Sequence, residues 1–176
     1  MSDLAEPRPP VTLIVHGQPA PQGSKRAFMG KRKDGTTYQG VIESSHDRVK
    51  SWRQAVVDEA REWQSQAAGR QFGAAPPLDG PLEVVMTFAL RRPKSHYGTG
   101  RNAAALKPGA PLYPAGKPDV GKLARATEDA LTGIVWLDDA QVVVSILAKV
   151  YAAPRDFTVH PSRRAPGAYI TVRQLP

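Results

Sequence analysis

The feature that most constrains the fold is a short amphipathic helix that passes directly into a β-forming run, within residues 119–151. Gly133 is suited to end the helix, and the run after residue 140 is dominated by β-branched and other apolar side chains. One helical face carries Leu123, Ala126, Thr127, Ala130 and Leu131. A helix with one apolar face must pack it against another element, so the pattern predicts a helix lying on a sheet.

Three aspartates flank this helix. Asp119 stands immediately before it, and Asp138 and Asp139 open the strand that follows. Because the chain turns back between helix and strand, we expect the three carboxylates to come close together. Hard oxygen ligands suit Mg²⁺, which also bridges to phosphate oxygens, so the pattern predicts a magnesium site facing phosphate. The same residues also fit a simpler interpretation, a helix N-cap and a turn before a strand.

The charge of the chain indicates a polyanionic partner. Its 176 residues include 24 Lys and Arg against 16 Asp and Glu, a formal net charge of +8. There is no apolar run of about 18 residues and no signal-peptide core, so we expect neither a membrane span nor export. The lack of cysteine excludes disulfides and allows a reducing compartment. We therefore predict a cytoplasmic protein that binds nucleic acid and no membrane.

The remaining elements follow from periodicity and turn signals. Residues 11–16 and 82–90 are predicted strands, the second of them central, and Asp34-Gly35 predicts a hairpin turn between residues 26–29 and 37–42. An apolar stripe through Trp52 and Trp63 predicts a helix over residues 46–68, with both indoles in the core or a dimer interface. Residues 141–151 are apolar on both faces, which predicts a strand buried on two sides. Residues 168–173 are predicted to form a final antiparallel strand.

The resulting order, β-(hairpin)-α-β-α-β-β, predicts an α/β (α+β) fold. We expect a single two-layer domain over residues 1–176, in which two main helices pack on a mixed β-sheet. Residues 1–10 are predicted to form a flexible tail. The length suits one core, because a second full domain would be cramped.

Two basic segments are candidate DNA contacts. Residues 24–33 and the loop over residues 91–117 each combine Lys and Arg with aromatic side chains and contain no acid. Such segments are either solvated loops or surfaces that bind backbone phosphates. We expect the longer loop to order on DNA and Tyr97 to stack on an exposed base. The predicted DNA-binding residues are Lys25, Arg26, Lys31, Arg32, Lys33, Arg91, Arg92, Lys94, Arg101 and Lys117.

The central stretch resembles a known family. Lys-Pro-Asp-x-x-Lys-Leu at residues 117–123, Asp-Ala-Leu-Thr-Gly at 129–133 and Trp-x-Asp-Asp-Ala-Gln-Val-Val at 136–143 are similar to the signature of RusA-type Holliday-junction resolvases, especially phage and prophage members. The resemblance is specific over residues 117–150. It implies an endodeoxyribonuclease of recombination and repair that depends on Mg²⁺, with Mn²⁺ able to substitute. It also implies a homodimer that resolves four-way junctions by symmetric nicking, in a bacterial or phage-infected cytoplasm.

The resemblance further implies roles for individual residues. Asp119, Asp138 and Asp139 would hold the metal and act in catalysis. Arg125, where the family often has a functional Lys, and Lys122 would bring positive charge to the phosphate.

Gly121 departs from the family pattern, because a second Asp is expected there. Three interpretations follow: a natural member that binds junctions without cutting them, a site rebuilt with another carboxylate such as Glu128, or a substitution made to inactivate the enzyme. A catalytically impaired DNA-binding protein of the same fold is therefore the alternative to an active nuclease. A basic structural or packaging protein, whose aspartates serve only as caps and turns, is a third hypothesis.

Overall fold

The computed structural model describes residues 9–23, 25–43, 46–68, 74–153 and 164–176. In chain order the elements are β1 (Val11–His16), β2 (Lys25–Lys31), β3 (Thr37–Glu43), α1 (His46–Ala67), β4 (Leu82–Leu90), α2 (Val120–Leu131), β5 (Val142–Tyr151) and β6 (Gly167–Gln174). This is the predicted order, and the predicted mixed α/β class is confirmed. None of the helices within the described ranges is long and apolar enough to cross a membrane.

Four strands form the main sheet, in the order β1-β6-β4-β5, while β2 and β3 pair as a separate hairpin. β6 is antiparallel to both β1 and β4, and β4 is parallel to β5. A parallel pair needs a long crossover, and here that connection contains α2. The predicted central position of β4 and the antiparallel final strand are therefore confirmed.

The core lies between one face of the sheet and the two helices. Alternate residues of β1, β4 and β6 point into it, and Trp52 of α1 is 2% exposed while Trp63 packs against its margin. The buried Trp52 Nε1 donates to Thr127 Oγ1 at 3.0 Å, and that hydroxyl donates to Leu123 O at 2.9 Å. This pair of hydrogen bonds joins α1 to α2 inside the core. The prediction that both indoles are packing residues is confirmed.

The prediction that residues 141–151 are buried on two sides is wrong. β5 is an edge strand, and Val143 and Ile146 are 60% and 52% exposed. The helices cover one face of the sheet, and along the outer edge of β5 the described chain supplies no neighbouring strand. Apolar periodicity identifies a strand but contains no information about how many neighbours it has.

The loop over residues 91–117 contains two short 3-10 turns, Lys94–His96 and Gly100–Asn102. Backbone hydrogen bonds fold it on itself, from Gly98 N to Ala105 O and from Lys107 N to His96 O, each 3.0 Å. Its predicted ordering on DNA stays a prediction. Of the predicted tail over residues 1–10, residues 1–8 lie outside the described part of the chain.

Candidate active site and nucleic-acid interface

Asp119 occupies the N-cap position of α2. Its backbone carbonyl accepts from Leu123 N at 3.2 Å, but its side chain makes no capping hydrogen bond. The exposed carboxylate has Lys122 Nζ at 3.9 Å from its Oδ2. Because exposed ion pairs of this kind contribute little to stability, the Asp119 side chain has no evident structural task. The simple interpretation of Asp119 as a capping side chain is therefore wrong.

Asp119 also lines a cleft of about 900 Å³. The walls come from the connection after β1, the first turns of α1 and the start of α2, and the backbone of Gln22 donates to Lys122 O at 2.9 Å across it. The charged side chains that line it are Asp47, Arg48, Lys117, Asp119 and Lys122. A surface of mixed sign with an excess of cations is suited to a phosphodiester backbone, since the cations neutralise phosphate.

Asp138 and Gln141 build the turn that precedes β5. Asp138 Oδ1 accepts from Ala140 N at 2.8 Å, and Gln141 Oε1 accepts from Asp138 N at 3.0 Å, a reciprocal capping box. The amide of Gln141 also donates to Leu78 O at 3.2 Å. Two members of the family motif therefore fix the backbone, and for Asp138 the turn interpretation is confirmed.

Asp139 is attached to the C-terminal end of α2. Its Oδ1 accepts from Trp136 Nε1 at 3.0 Å and from the hydroxyl of Thr132, which follows the last helical residue. Gly133, at a φ of 79°, comes next and ends the helix as predicted. The position of Asp139 is thus determined by the end of the helix and by a buried indole.

The prediction that the three aspartates meet is wrong for a single chain. α2 has 12 residues, a length of about 18 Å, and Asp119 and Asp139 lie at its opposite ends. The chain reverses after α2, so the start of the helix faces the end of β5, where Lys149 Nζ donates to Gly116 O and Pro118 O at 2.6 and 2.8 Å. No group of three or more acidic, His or Cys residues in the described ranges could hold a metal. Within the described residues, a single chain therefore does not gather the three aspartates around one ion.

Residues 19–159 of the chain match the family model for the endodeoxyribonuclease RusA. The chain belongs to the RusA endodeoxyribonuclease family. The match confirms the resemblance drawn from residues 117–150 and extends it to most of the sequence. Membership implies a Holliday-junction-resolving endonuclease that binds branched DNA. Comparison with curated proteins found no match.

Within this RusA-family chain, Glu128 joins Asp139 at the C-terminal end of α2. Burial raises the pKa of the Glu128 carboxyl, the negative charges of Asp139 and Asp129 raise that pKa further, and Arg125 partly offsets them. Asp129 itself accepts from Arg53 of α1 and is not part of this pair. The sequence suggested Glu128 only as a substitute ligand, and the fold places it at the Asp139 end of α2, where the hydroxyl of Thr132 contacts both the Glu128 backbone carbonyl and Asp139 Oδ1.

Gly121, the departure from the RusA pattern, lies exposed in the first turn of α2. A Cβ atom built on it meets nothing within 4 Å. Packing therefore does not require glycine at this position, because the first atom of a larger side chain enters open space.

The predicted DNA-binding residues fall into two groups. At the tip of the β2–β3 hairpin the side chains are exposed, with Arg32 lying 5.5 Å from the ring centroid of Tyr38. In the long loop Arg92 differs from its neighbours, because its guanidinium lies 4.1 Å from the ring centroid of Tyr151 and donates to Pro111 O at 2.7 Å. The exposed basic side chains are Lys31, Arg32, Lys33, Arg91, Lys94, Arg101 and Lys117, and those of Lys25 and Arg26 lie outside the description.

Sequence reasoning missed the most exposed aromatic of the long loop. Tyr97, the predicted base-stacking residue, is half-buried and pairs through its backbone with Leu106. Tyr113 is 70% exposed and the adjacent Leu112 is 79% exposed. The available signal was the pair of prolines at 111 and 114, which restrict the backbone on either side.

Proposed function

We propose that this protein is a metal-dependent, structure-selective endodeoxyribonuclease that works as a homodimer and makes symmetric nicks in four-way junctions. The observation that supports it best is the separation of Asp119 from Asp139 along α2, within a chain of the RusA family. The two halves of a carboxylate site exist, but at opposite ends of one helix. A second copy in the opposite direction would bring the two halves together.

The outer edge of β5, beside which no described strand lies, supports this arrangement. Val143, Val144 and Ile146 expose an apolar, β-branched edge that a second β5 can pair with antiparallel, across a two-fold axis. Because α2 packs on β4 and β5, the two α2 helices would then run antiparallel on the same side of a continuous sheet. Asp119 of each chain would face the partner's Asp139.

The residues of such a composite site have distinct tasks. Asp119 from one chain with Asp139 and Glu128 from the other would hold Mg²⁺ or Mn²⁺, while Asp138 fixes the turn. A bound ion of this kind supplies an activated water and polarises the phosphate. Lys117 and Lys122 bind the strand in the cleft, and Arg125 remains a cation that cannot act as a base. Two sites related by a two-fold axis match two symmetric nicks.

Mixed dimers test the proposal directly. We expect Asp119→Asn and Asp139→Asn chains each to be inactive alone on a labelled four-way junction, in Mg²⁺ or Mn²⁺. In a dimer of one chain of each kind, one composite site keeps both wild-type aspartates and the other loses both. We expect mixing to restore nicking of one strand. The inactive control is a dimer in which both chains carry Asp119→Asn.

Persistent inactivity of the mixture, next to an active wild type, would overturn the composite site. If the wild type binds junctions but cuts none, the impaired interpretation replaces the active one. This second candidate, a protein that binds junctions without cutting them, can be tested at Gly121, because a side chain added there enters open space. Recovery of nicking only in Gly121→Asp would identify the chain as a junction-binding protein with a disabled site.

A further inference from the structure

We propose that Leu112 and Tyr113 form a wedge that stacks on unpaired or splayed bases at the branch point of the DNA. The proposal rests on the proposed function, since it names the part of the substrate that this surface recognises. Its partner is a nucleobase that has lost one stacking neighbour. The wedge is defined by residues 112 and 113 only.

The two side chains point into solvent from a backbone that is anchored on both sides. Before the wedge, the guanidinium of Arg92 donates to Pro111 O at 2.7 Å while lying on the ring of Tyr151. After the wedge, Pro114 is buried, and Ala115 N donates to Tyr113 O at 3.0 Å. Leu112 and Tyr113 are nevertheless 79% and 70% exposed. A large apolar surface held outward by fixed neighbours loses little conformational freedom when it binds.

The wedge is also attached to the candidate active site. Lys149 of β5 donates to the carbonyls of Gly116 and Pro118, which lie between Tyr113 and Asp119. Asp119 lies six positions after Tyr113, so their Cα atoms are at most about 20 Å apart. A base on Tyr113 and a phosphate near Asp119 therefore belong to the same region of one DNA molecule.

The surrounding charge selects nucleic acid over an apolar protein surface. The loop over residues 91–117 has six basic residues and no acid. Exposed cations in the same loop as an exposed aromatic ring form a combination that binds single-stranded nucleic acid, because the cations attract the backbone and every base offers a π-face. Bases inside an uninterrupted duplex are already stacked on both sides. The wedge is therefore selective for the branch, where stacking is interrupted.

Single exposed apolar residues are common on protein surfaces and need no partner. The wedge differs from that case in three respects: its two members are adjacent, its backbone is anchored on both sides, and its loop contains basic but no acidic residues. These features make base stacking a specific expectation that substitution at one exposed position can test without disturbing the core.

The experiment compares Tyr113→Ala with Tyr113→Phe in the full chain. The probe is a four-way junction with 2-aminopurine either at the branch or well inside one arm, with Ca²⁺ present so that binding is followed without cutting. We expect the wild type and Tyr113→Phe to change the fluorescence of the branch probe only. In Tyr113→Ala that change disappears and junction affinity falls about tenfold, with duplex affinity unaltered.

Equal junction affinity and equal branch fluorescence for Tyr113→Ala and wild type would overturn the wedge. An equal loss on junction and uninterrupted duplex would also overturn it, because the residue would then be a general DNA contact. If Tyr113→Ala weakened binding to a protein or a vesicle and left DNA binding unchanged, the surface would belong to another partner and the wedge would be overturned. A wild type without preference for junctions contradicts the proposed function itself, so the two failures are distinguishable.

Discussion

The two ends of α2 carry similar residues in very different surroundings. At the N-terminal end, the Asp119 carboxylate is exposed, caps nothing and lines a cleft with cations on its rim. At the C-terminal end, Asp138 and Asp139 accept hydrogen bonds from the backbone, a hydroxyl and an indole, and Glu128 is partly buried. One end has a carboxylate without a structural role, and the other has carboxylates that also maintain the fold. A substitution at the N-terminal end should therefore reduce activity without reducing stability, whereas one at the C-terminal end should reduce both.

The largest expected effect is on nicking. Asp119→Ala and Asp139→Ala should each reduce the nicking rate by about 10²–10³-fold or more, because a single pre-organised catalytic contact is worth that much. Only Asp139→Ala should also reduce stability, by roughly 1–3 kcal/mol, since the buried Trp136 N–H loses its acceptor. Junction nicking and urea unfolding measured on both variants test this difference. Equal unfolding midpoints would show that the two ends do not differ as described.

A change in the middle of α2 should affect both ends together. Thr127→Val keeps the shape of the side chain but removes the acceptor of the buried Trp52 N–H. We expect the free energy of unfolding to fall by roughly 1–3 kcal/mol, measured by urea denaturation. Thr127→Ser, which keeps the hydroxyl, is the matched control and should lose less. If the valine variant is as stable as wild type, the hydrogen bond from Trp52 to Thr127 does not stabilise the packing of α1 on α2.

At the N-terminal end, Gly121→Asp should raise stability rather than lower it. The side chain enters open space, replaces a helical glycine and places a negative charge in the first turn, which together contribute roughly 0.5–1 kcal/mol. Thermal unfolding of Gly121→Asp beside Gly121→Asn separates the charge from the loss of glycine. A destabilised aspartate variant would mean that this turn tolerates only a bare backbone.

The smallest effect concerns pH at the C-terminal end. The pKa of Glu128 is raised in the folded chain, so the folded state holds its proton more tightly than the unfolded state does. Stability should therefore fall as pH rises from about 4.3, the ordinary glutamate value, through the raised pKa. Glu128→Gln removes this decrease, and its stability relative to wild type should grow over that window. Urea unfolding at several pH values measures it, and parallel curves for the two proteins would contradict the burial of Glu128.

Much of the fold was predictable because its elements have strong local signals. The Asp34-Gly35 turn, the alternation in β4 and the stripe through Trp52 and Trp63 each specify an element by short-range pattern. The family motif likewise identified the residues around α2. These patterns depend on residues that are close in sequence, so they can be recognised without knowledge of the tertiary structure.

Most of what the sequence did not show concerns relations between elements. Spacing placed Asp119 and Asp139 on either side of a helix, but it did not show that the helix keeps them apart. Apolar residues in β5 indicated a strand without indicating that it lies at an edge. Arg92 looked like its basic neighbours, and its contact with Tyr151 depends on a strand about sixty residues later in the chain. Each of these facts is decided by packing at long range.

The edge of β5 also bears on how the protein behaves outside an assembly. An apolar, β-branched strand at the edge of a sheet, with no described strand beside it, is a template for uncontrolled pairing with other chains. A two-fold partner that covers this edge would remove the template and add its binding free energy to the stability of each chain. In such a dimer the unfolding temperature would rise with the protein's own concentration, and dissociation on dilution would expose the strand.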